Sequence, residues 1–225
     1  MPKAGEPKRV AVIGLGRFGE SMALTLAELG YEVTAVDIDE RRVAEIADRV
    51  TLAAQGDGTD EEMLCSLAVD QSDVGIVGQG KNLEASVLIT LVLKRLGVPG
   101  VVAKAESALH GELLARIGAD RIVFPERDAG VRAAHALTVR NIDDYITLSP
   151  TTGLAKVDAP PGSAGATLGE LCARLGTLTP LLIKRGDALL LAPAWEERVQ
   201  PGDELVVVGS DAAIGAFADA EPLRP

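Results

Sequence analysis

Gly14-Leu15-Gly16-Arg17-Phe18-Gly19 constrains the fold of this chain more than any other stretch. It stands directly behind a β-branched run at residues 10–13 and opens a helical pattern carried by Phe18, Met22, Leu26 and Leu29. Each glycine has a physical task in that setting. Gly14 permits a tight turn, Gly16 lets the backbone approach a phosphate, and Gly19 lets helix and strand pack closely. Helix-start N–H groups and the helix dipole then hold an anion. Asp37 closes the second apolar run about 20 residues along, where a carboxylate takes ribose hydroxyls. The same carboxylate repels a 2′-phosphate, so the expected ligands are NAD, ATP or ADP rather than NADP. Asp57, in Gln55-Gly56-Asp57-Gly58-Thr59-Asp60, has two readings. It meets the adenine end of the ligand, or it is a turn aspartate capping the next helix.

The runs at residues 10–13, 33–36, 51–54, 74–77, 101–103 and 122–124 alternate with stretches of helical periodicity. Near-continuous apolar strands between helices mean a parallel sheet covered on both faces. Right-handed crossovers make that a doubly wound, Rossmann-like α/β fold. Gly30, Gly97 and Gly118 follow helical stretches, where a C-terminus takes a left-handed residue. After Leu137 the pattern changes. A short strand at 145–148 is followed by Ser149-Pro150-Thr151-Thr152-Gly153, which is turn chemistry and marks a boundary. The expected division is a nucleotide-binding domain over residues 8–148 and a small α+β domain over 149–225. In the second, Leu168, Leu171, Cys172 and Leu175 share a helix face. Runs at 181–183 and 189–191 flank a hairpin turn, Arg185-Gly186-Asp187, and Pro201-Gly202-Asp203 turns into a strand at 205–208.

Charge and composition exclude several functions. A net charge of −11 and 3% aromatic residues argue against nucleic acid as a partner, which needs clustered cations and stacking surfaces. No apolar run reaches the roughly 18 residues of a membrane span. Residues 1–8 lack the apolar core of a secretory signal, so the expected location is cytoplasmic. Cys65 and Cys172 lie far apart inside apolar helical patterns and are expected as buried free thiols.

Catalytic chemistry is missing where a dehydrogenase would carry it. Hydride transfer needs a placed proton donor or acceptor. The two histidines, His110 and His135, lie in helical patterns with no second catalytic group beside either. No G-x-S-x-G, H-E-x-x-H or Walker A motif is present. A cofactor-type site without a reaction points to sensing, and the chain is expected not to be an enzyme.

These residues carry a family resemblance. The chain resembles the RCK (regulator of potassium conductance) proteins, in particular the Trk/Ktr-type potassium uptake regulatory subunits. Residues 12–19 and 35–37 carry it, with Lys104 in Ala103-Lys104-Ala105, Ile117-Gly118-Ala119-Asp120-Arg121 and Pro125-Glu126-Arg127-Asp128. The resemblance implies a Rossmann-like N-domain, a crossover helix exchanged within a homodimer, and a C-domain that also dimerises. It implies an octameric ring on the inner face of the membrane, docked to a membrane-embedded potassium translocating subunit and switched by ATP and ADP, or by NAD(H). It also implies cyclic di-AMP as a possible ligand of paired C-domains, in the region of residues 181–185.

Gly14, Gly16, Phe18 and Gly19 fall in the implied phosphate loop, and Asp37 matches the ribose ligand. Arg17 matches a position that reaches the terminal phosphate held by the neighbouring subunit. Its rival reading is a surface arginine at a helix start. Lys104 ends a strand where ligands bind in open α/β sheets, and its rival reading is a solvated strand-end lysine. Glu126 matches a position that helps bind a divalent cation, magnesium or calcium. It is equally an ordinary helix-start acid favoured by the dipole. The glycine-rich loop Gly78-Gln79-Gly80-Lys81-Asn82 departs from the family pattern and leaves the adenine side open. Two other functions stand beside the uptake regulator: a small NAD-dependent oxidoreductase, and an RCK module of another potassium channel or antiporter.

Overall fold

The computed structural model describes residues 8–138, 142–149, 151–175 and 178–219 of the 225. The chain divides into two compact units, Met1–Glu126 and Arg127–Pro225.

In the first unit strands and helices alternate without exception. In order they are β1 (Arg9–Ile13), α1 (Arg17–Glu28), β2 (Glu32–Asp37), α2 (Glu40–Ile46), β3 (Leu52–Gln55) and α3 (Glu61–Ser66). Then follow β4 (Val74–Val77), α4 (Leu83–Arg95), β5 (Gly100–Lys104), α5 (Ala108–Arg116) and β6 (Arg121–Val123). The strands form one parallel sheet in the order β3-β2-β1-β4-β5-β6. Neighbouring residues of β1 show how both faces are covered. Val10 and Val12 join a core with Ala23, Val33, Val43 and Ile46, whereas Ala11 and Ile13 join another with Leu64, Ile89, Leu93 and Leu114. Period-two side chains thus serve two layers of helices, and each fully buried aliphatic side chain contributes about 1.5–3 kcal/mol. Helices start where the sequence supplies an oxygen. Asp39, Asp60, Asn82 and Ser107 accept hydrogen bonds from the first-turn amides of α2, α3, α4 and α5. Strands β3 and β6 are displaced by one residue from the expected runs, because pairing with Asp37 and with Val102 sets their ends at Gln55 and Arg121.

The second unit takes in α6 (Pro125–Thr138) from its third residue onward. It continues with β7 (Ile142–Ser149), β8 (Thr152–Asp158), α7 (Leu168–Leu175), β9 (Leu178–Arg185), β10 (Ala188–Leu191), β11 (Glu204–Ser210) and α8 (Asp211–Ala218). Its five-stranded antiparallel sheet has the order β10-β9-β11-β8-β7. Ala155, Val157, Leu205 and Val207 alternate with half-buried residues along β8 and β11, and pack with Leu168, Ile214 and Phe217 of α7 and α8. The hairpin expected around Gly186 joins β9 to β10. Arg185 reaches the turn ahead of β11, where Asp203, 1% exposed, accepts two hydrogen bonds from it at 2.8 Å. That guanidinium holds the Asp203 carboxyl below the usual carboxylate range.

Cys172 is buried as expected, but Cys65 is exposed. Helix α3 is only six residues long, and Leu64 takes its buried position. Among the described residues no helix is long and apolar enough to cross a membrane.

Candidate nucleotide site

β1 and β4 are neighbours in the sheet although β2 and β3 lie between them in the chain. The loops that follow them therefore open a crevice at the carboxyl ends of the strands, where open α/β sheets take ligands. Gly14 begins the first loop with φ +93°, and its N–H donates to the Val36 carbonyl at 2.7 Å. Gly78 begins the second, donating to the Ile13 carbonyl at 2.8 Å. The two loops touch. A Cβ on Gly19 would lie 1.9 Å from the Gly14 carbonyl oxygen, and one on Gly78 would lie 2.3 Å from the same atom. A Cβ on Gly16 would meet nothing within 4 Å. Gly14, Gly19 and Gly78 are closed by the protein's own packing, and Gly16 faces the cleft. Helix α1 also starts at Gly16, without the side-chain cap that α2 to α5 have. Its first amides are aimed at whatever the cleft holds, the arrangement an anionic group needs.

Asp37, 6% exposed, organises this loop. Its Oδ2 accepts from the Leu15 N–H at 2.5 Å and its Oδ1 from the Asp39 N–H at 2.8 Å. Arg42 Nη1 lies 3.4 Å from Oδ2. A carboxylate has about four lone-pair positions, and Leu15, Asp39 and Arg42 take three of them, so one ribose hydroxyl can still be accepted.

A cleft of about 540 Å³ joins these parts. Arg17, Arg42, Lys81 and Lys104 face Glu20, Asp37, Glu45 and Glu126 around it, together with Phe18, Gly14 and Gly16. Charges of both signs balance there although the whole chain carries −11. A phosphate therefore meets no net repulsion from the lining. A smaller cleft of about 260 Å³ shares Gly14, Asp37, Gln79 and Asn82 with it and adds Asp57, Thr59, Leu88 and Ile89. Its mixed apolar and polar walls suit a flat heterocycle.

The individual residues fall as follows. Arg17 is exposed at the rim on the first turn of α1. Phe18 is half-buried, packs against the core that contains Val10, Val12 and Ala35, and also lines the cleft. Asp57 does not cap α3, a task that Asp60 performs. Its Oδ1 accepts from the Thr59 N–H at 2.9 Å and the Thr59 hydroxyl at 2.8 Å, which holds its carboxyl below the usual range. Lys104 is not a solvated lysine. It is 9% exposed, and its Nζ lies 2.5 Å from Glu126 Oε1. That hydrogen bond, with the nearby charges of Lys104 and Arg17, keeps the Glu126 carboxyl below its ordinary range. One carboxylate tied to a lysine does not make a cation site, and among the described residues no group of three acidic, histidine or cysteine side chains is poised to hold a metal.

His110 stays outside the cleft, buried between α4 and α5. The Glu106 N–H donates to its Nδ1 at 3.4 Å, which leaves the proton on Nε2, 3.2 Å from Ser86 Oγ. Burial pushes its pKa down. His135 has its side chain outside the described residues.

Arg42, Glu45 and Lys81 were not singled out by the sequence. Lys81 was within reach, because its loop follows β4 at the reversal of strand order. Arg42 carried no signal beyond lying five residues after Asp37.

A family model described as the TrkA-N domain matches residues 10–125. The chain is 43% identical over 211 residues to the Ktr system potassium uptake protein C of Bacillus subtilis (strain 168), covering 93% of this chain and 96% of that protein. It is 37% identical over 210 residues to the Ktr system potassium uptake protein A of Vibrio alginolyticus, covering 92% and 94%. Among solved structures it is similar in fold to the GsuK channel bound to NAD, with a TM-score of 0.62 and 18% identity. That alignment takes in 99% of this chain and spans 41% of the channel's.

Proposed function

The chain belongs to the TrkA-N domain family, and from that premise we propose that it is the nucleotide-sensing regulatory subunit of a potassium uptake system. The observation that carries this reading is the pairing of an open glycine cradle at Gly16 with a buried, loop-fixing carboxylate at Asp37. An adenine nucleotide fits that pairing. Its phosphates lie on the α1 amides, its ribose on Asp37, and its base in the smaller cleft with Asp57. Lys104 and Arg17 supply the remaining phosphate contacts, Arg17 to a terminal phosphate of the neighbouring subunit. ATP, ADP and NAD(H) all satisfy this pattern. The GsuK channel of similar fold binds NAD.

Binding here leads to a change of shape rather than to turnover. A ligand of this kind acts by differential affinity for two states of the protein. Magnesium or calcium belongs to the proposal only together with the nucleotide, whose phosphate oxygens would complete a donor set that Glu126 alone does not. The subunit works in the cytoplasm against a membrane-embedded potassium translocating partner, as homodimers joined into an octameric ring, with cyclic di-AMP as a candidate second ligand of the C-terminal unit. Calorimetric titration with ATP, ADP, NAD and NADH tests the reading. Saturable binding of at least one of them to the purified protein is expected, and no binding of any would overturn it.

A further inference from the structure

Lys104 and Glu126, two residues with separate expected tasks, hold each other. The Lys104 ammonium lies almost wholly inside the protein, and its Nζ is 2.5 Å from Glu126 Oε1. The Glu126 side chain is 68% exposed, so the carboxylate reaches inward from the rim of the cleft to make this contact. Both residues line the same cleft as Gly16 and Arg17. Glu126 thus brings carboxylate oxygens to the cation that a nucleotide phosphate would use, and carboxylate and phosphate seek an ammonium through the same charge-assisted hydrogen bond. Two anions sharing one ammonium repel each other.

The position of Glu126 gives this contest a consequence. It is the last residue of the first unit and lies in the first turn of α6, Pro125–Thr138, the helix by which the chain enters the second unit. We propose that Glu126 is a built-in competitor of the nucleotide phosphate. Its carboxylate occupies Lys104, phosphate binding displaces it, and the displacement shifts the start of α6. The inference rests on the nucleotide reading of the cleft and adds its regulation: the unloaded site is held by an autoinhibitory contact. Arg17, a cation of the same cleft whose charge already acts on Glu126, is placed to receive the displaced carboxylate.

Calorimetric titration with ADP in excess EDTA tests this, because without divalent cations Glu126 cannot assist binding as a metal ligand. Glu126→Gln should bind ADP about fivefold more tightly than the wild type, the factor that corresponds to about 1 kcal/mol for a partly exposed ion pair. Lys104→Met should bind ADP more weakly. Asp128→Asn, which removes the same charge from the same helix start without touching Lys104, should bind as the wild type does. Equal or weaker binding by Glu126→Gln overturns the proposal. So does an equal gain in Asp128→Asn, which would mean general charge repulsion, or unchanged binding by Lys104→Met. Absence of ADP binding in wild type and variants alike overturns the nucleotide reading itself and the competitor with it. Thermal melting of each variant separates these results from misfolding.

Discussion

Gly16→Ala separates folding from binding at the residue on which the site depends. Gly16 has φ −65° and ψ 176°, an extended conformation open to any residue, and a Cβ there meets nothing within 4 Å. Alanine should therefore fold without strain. Its gain of about 0.4–1 kcal/mol from the smaller entropy of the unfolded chain is offset by alanine's poorer fit at the N-cap of α1, so the melting temperature should stay about level. The new methyl projects into the space where a phosphate would approach the α1 amides. Overpacking of that kind costs about 1–3 kcal/mol, which is about a 5- to 150-fold loss of affinity for ATP, ADP or NAD. Gly19→Ala should behave in the opposite way, since its Cβ would fall 1.9 Å from the Gly14 carbonyl oxygen and the loop would have to move. It should lower the melting temperature before any ligand is added. Differential scanning fluorimetry and calorimetric titration on the two variants give both readouts. A stable Gly16→Ala protein that binds nucleotide as tightly as wild type would refute the placing of phosphate at this loop.

Asp37→Asn should weaken binding of every ribose-containing ligand by about 1.5–3 kcal/mol, about 10- to 150-fold, and titration with ATP, ADP and NAD reads this directly. Unchanged affinity for all three would remove the ribose assignment. Arg17→Ala should cost ATP more affinity than ADP, and equal losses would mean that Arg17 does not sense the terminal phosphate. In the second unit, burial and the hydrogen bond to Asp211 raise the Tyr145 pKa to about 12. An unfolded tyrosine ionises near pH 10, so Tyr145 stabilises the fold fully below that pH and ceases to do so as pH rises from about 10 to 12. Denaturant melts of Tyr145→Phe should show a flatter decline over that window and about 1 kcal/mol less stability at neutral pH.

The alternating sheet and the glycine cradle were legible in the sequence because period, turn chemistry and helix starts all pointed the same way. Val10 to Ile13 read as a strand buried on two faces, and alternate residues do enter two cores. Gly14 and Gly19 read as close-packing residues, and their surroundings leave no room for a side chain. The second loop of the site was visible only as a departure from pattern. Gly78 is required by the Gly14 carbonyl, a contact between loops 64 residues apart that no local spacing encodes. The Lys104–Glu126 pair escaped for the same reason. Each residue read correctly as a strand end or a helix start, but only the pairing of β5 with β6, which leads into α6, sets them 2.5 Å apart. Cys65 failed differently: helical periodicity fixed a face, yet on a helix as short as α3 Leu64 alone is buried.

The most direct test of a nucleotide-sensing role is potassium flux through the membrane-embedded translocating partner, reconstituted in liposomes with this protein and assayed with ATP, with ADP and without nucleotide. The account predicts that wild-type protein gives different fluxes in the three conditions and that Gly16→Ala gives one flux in all of them. Equal flux in all three conditions with wild-type protein bound to its partner would contradict it.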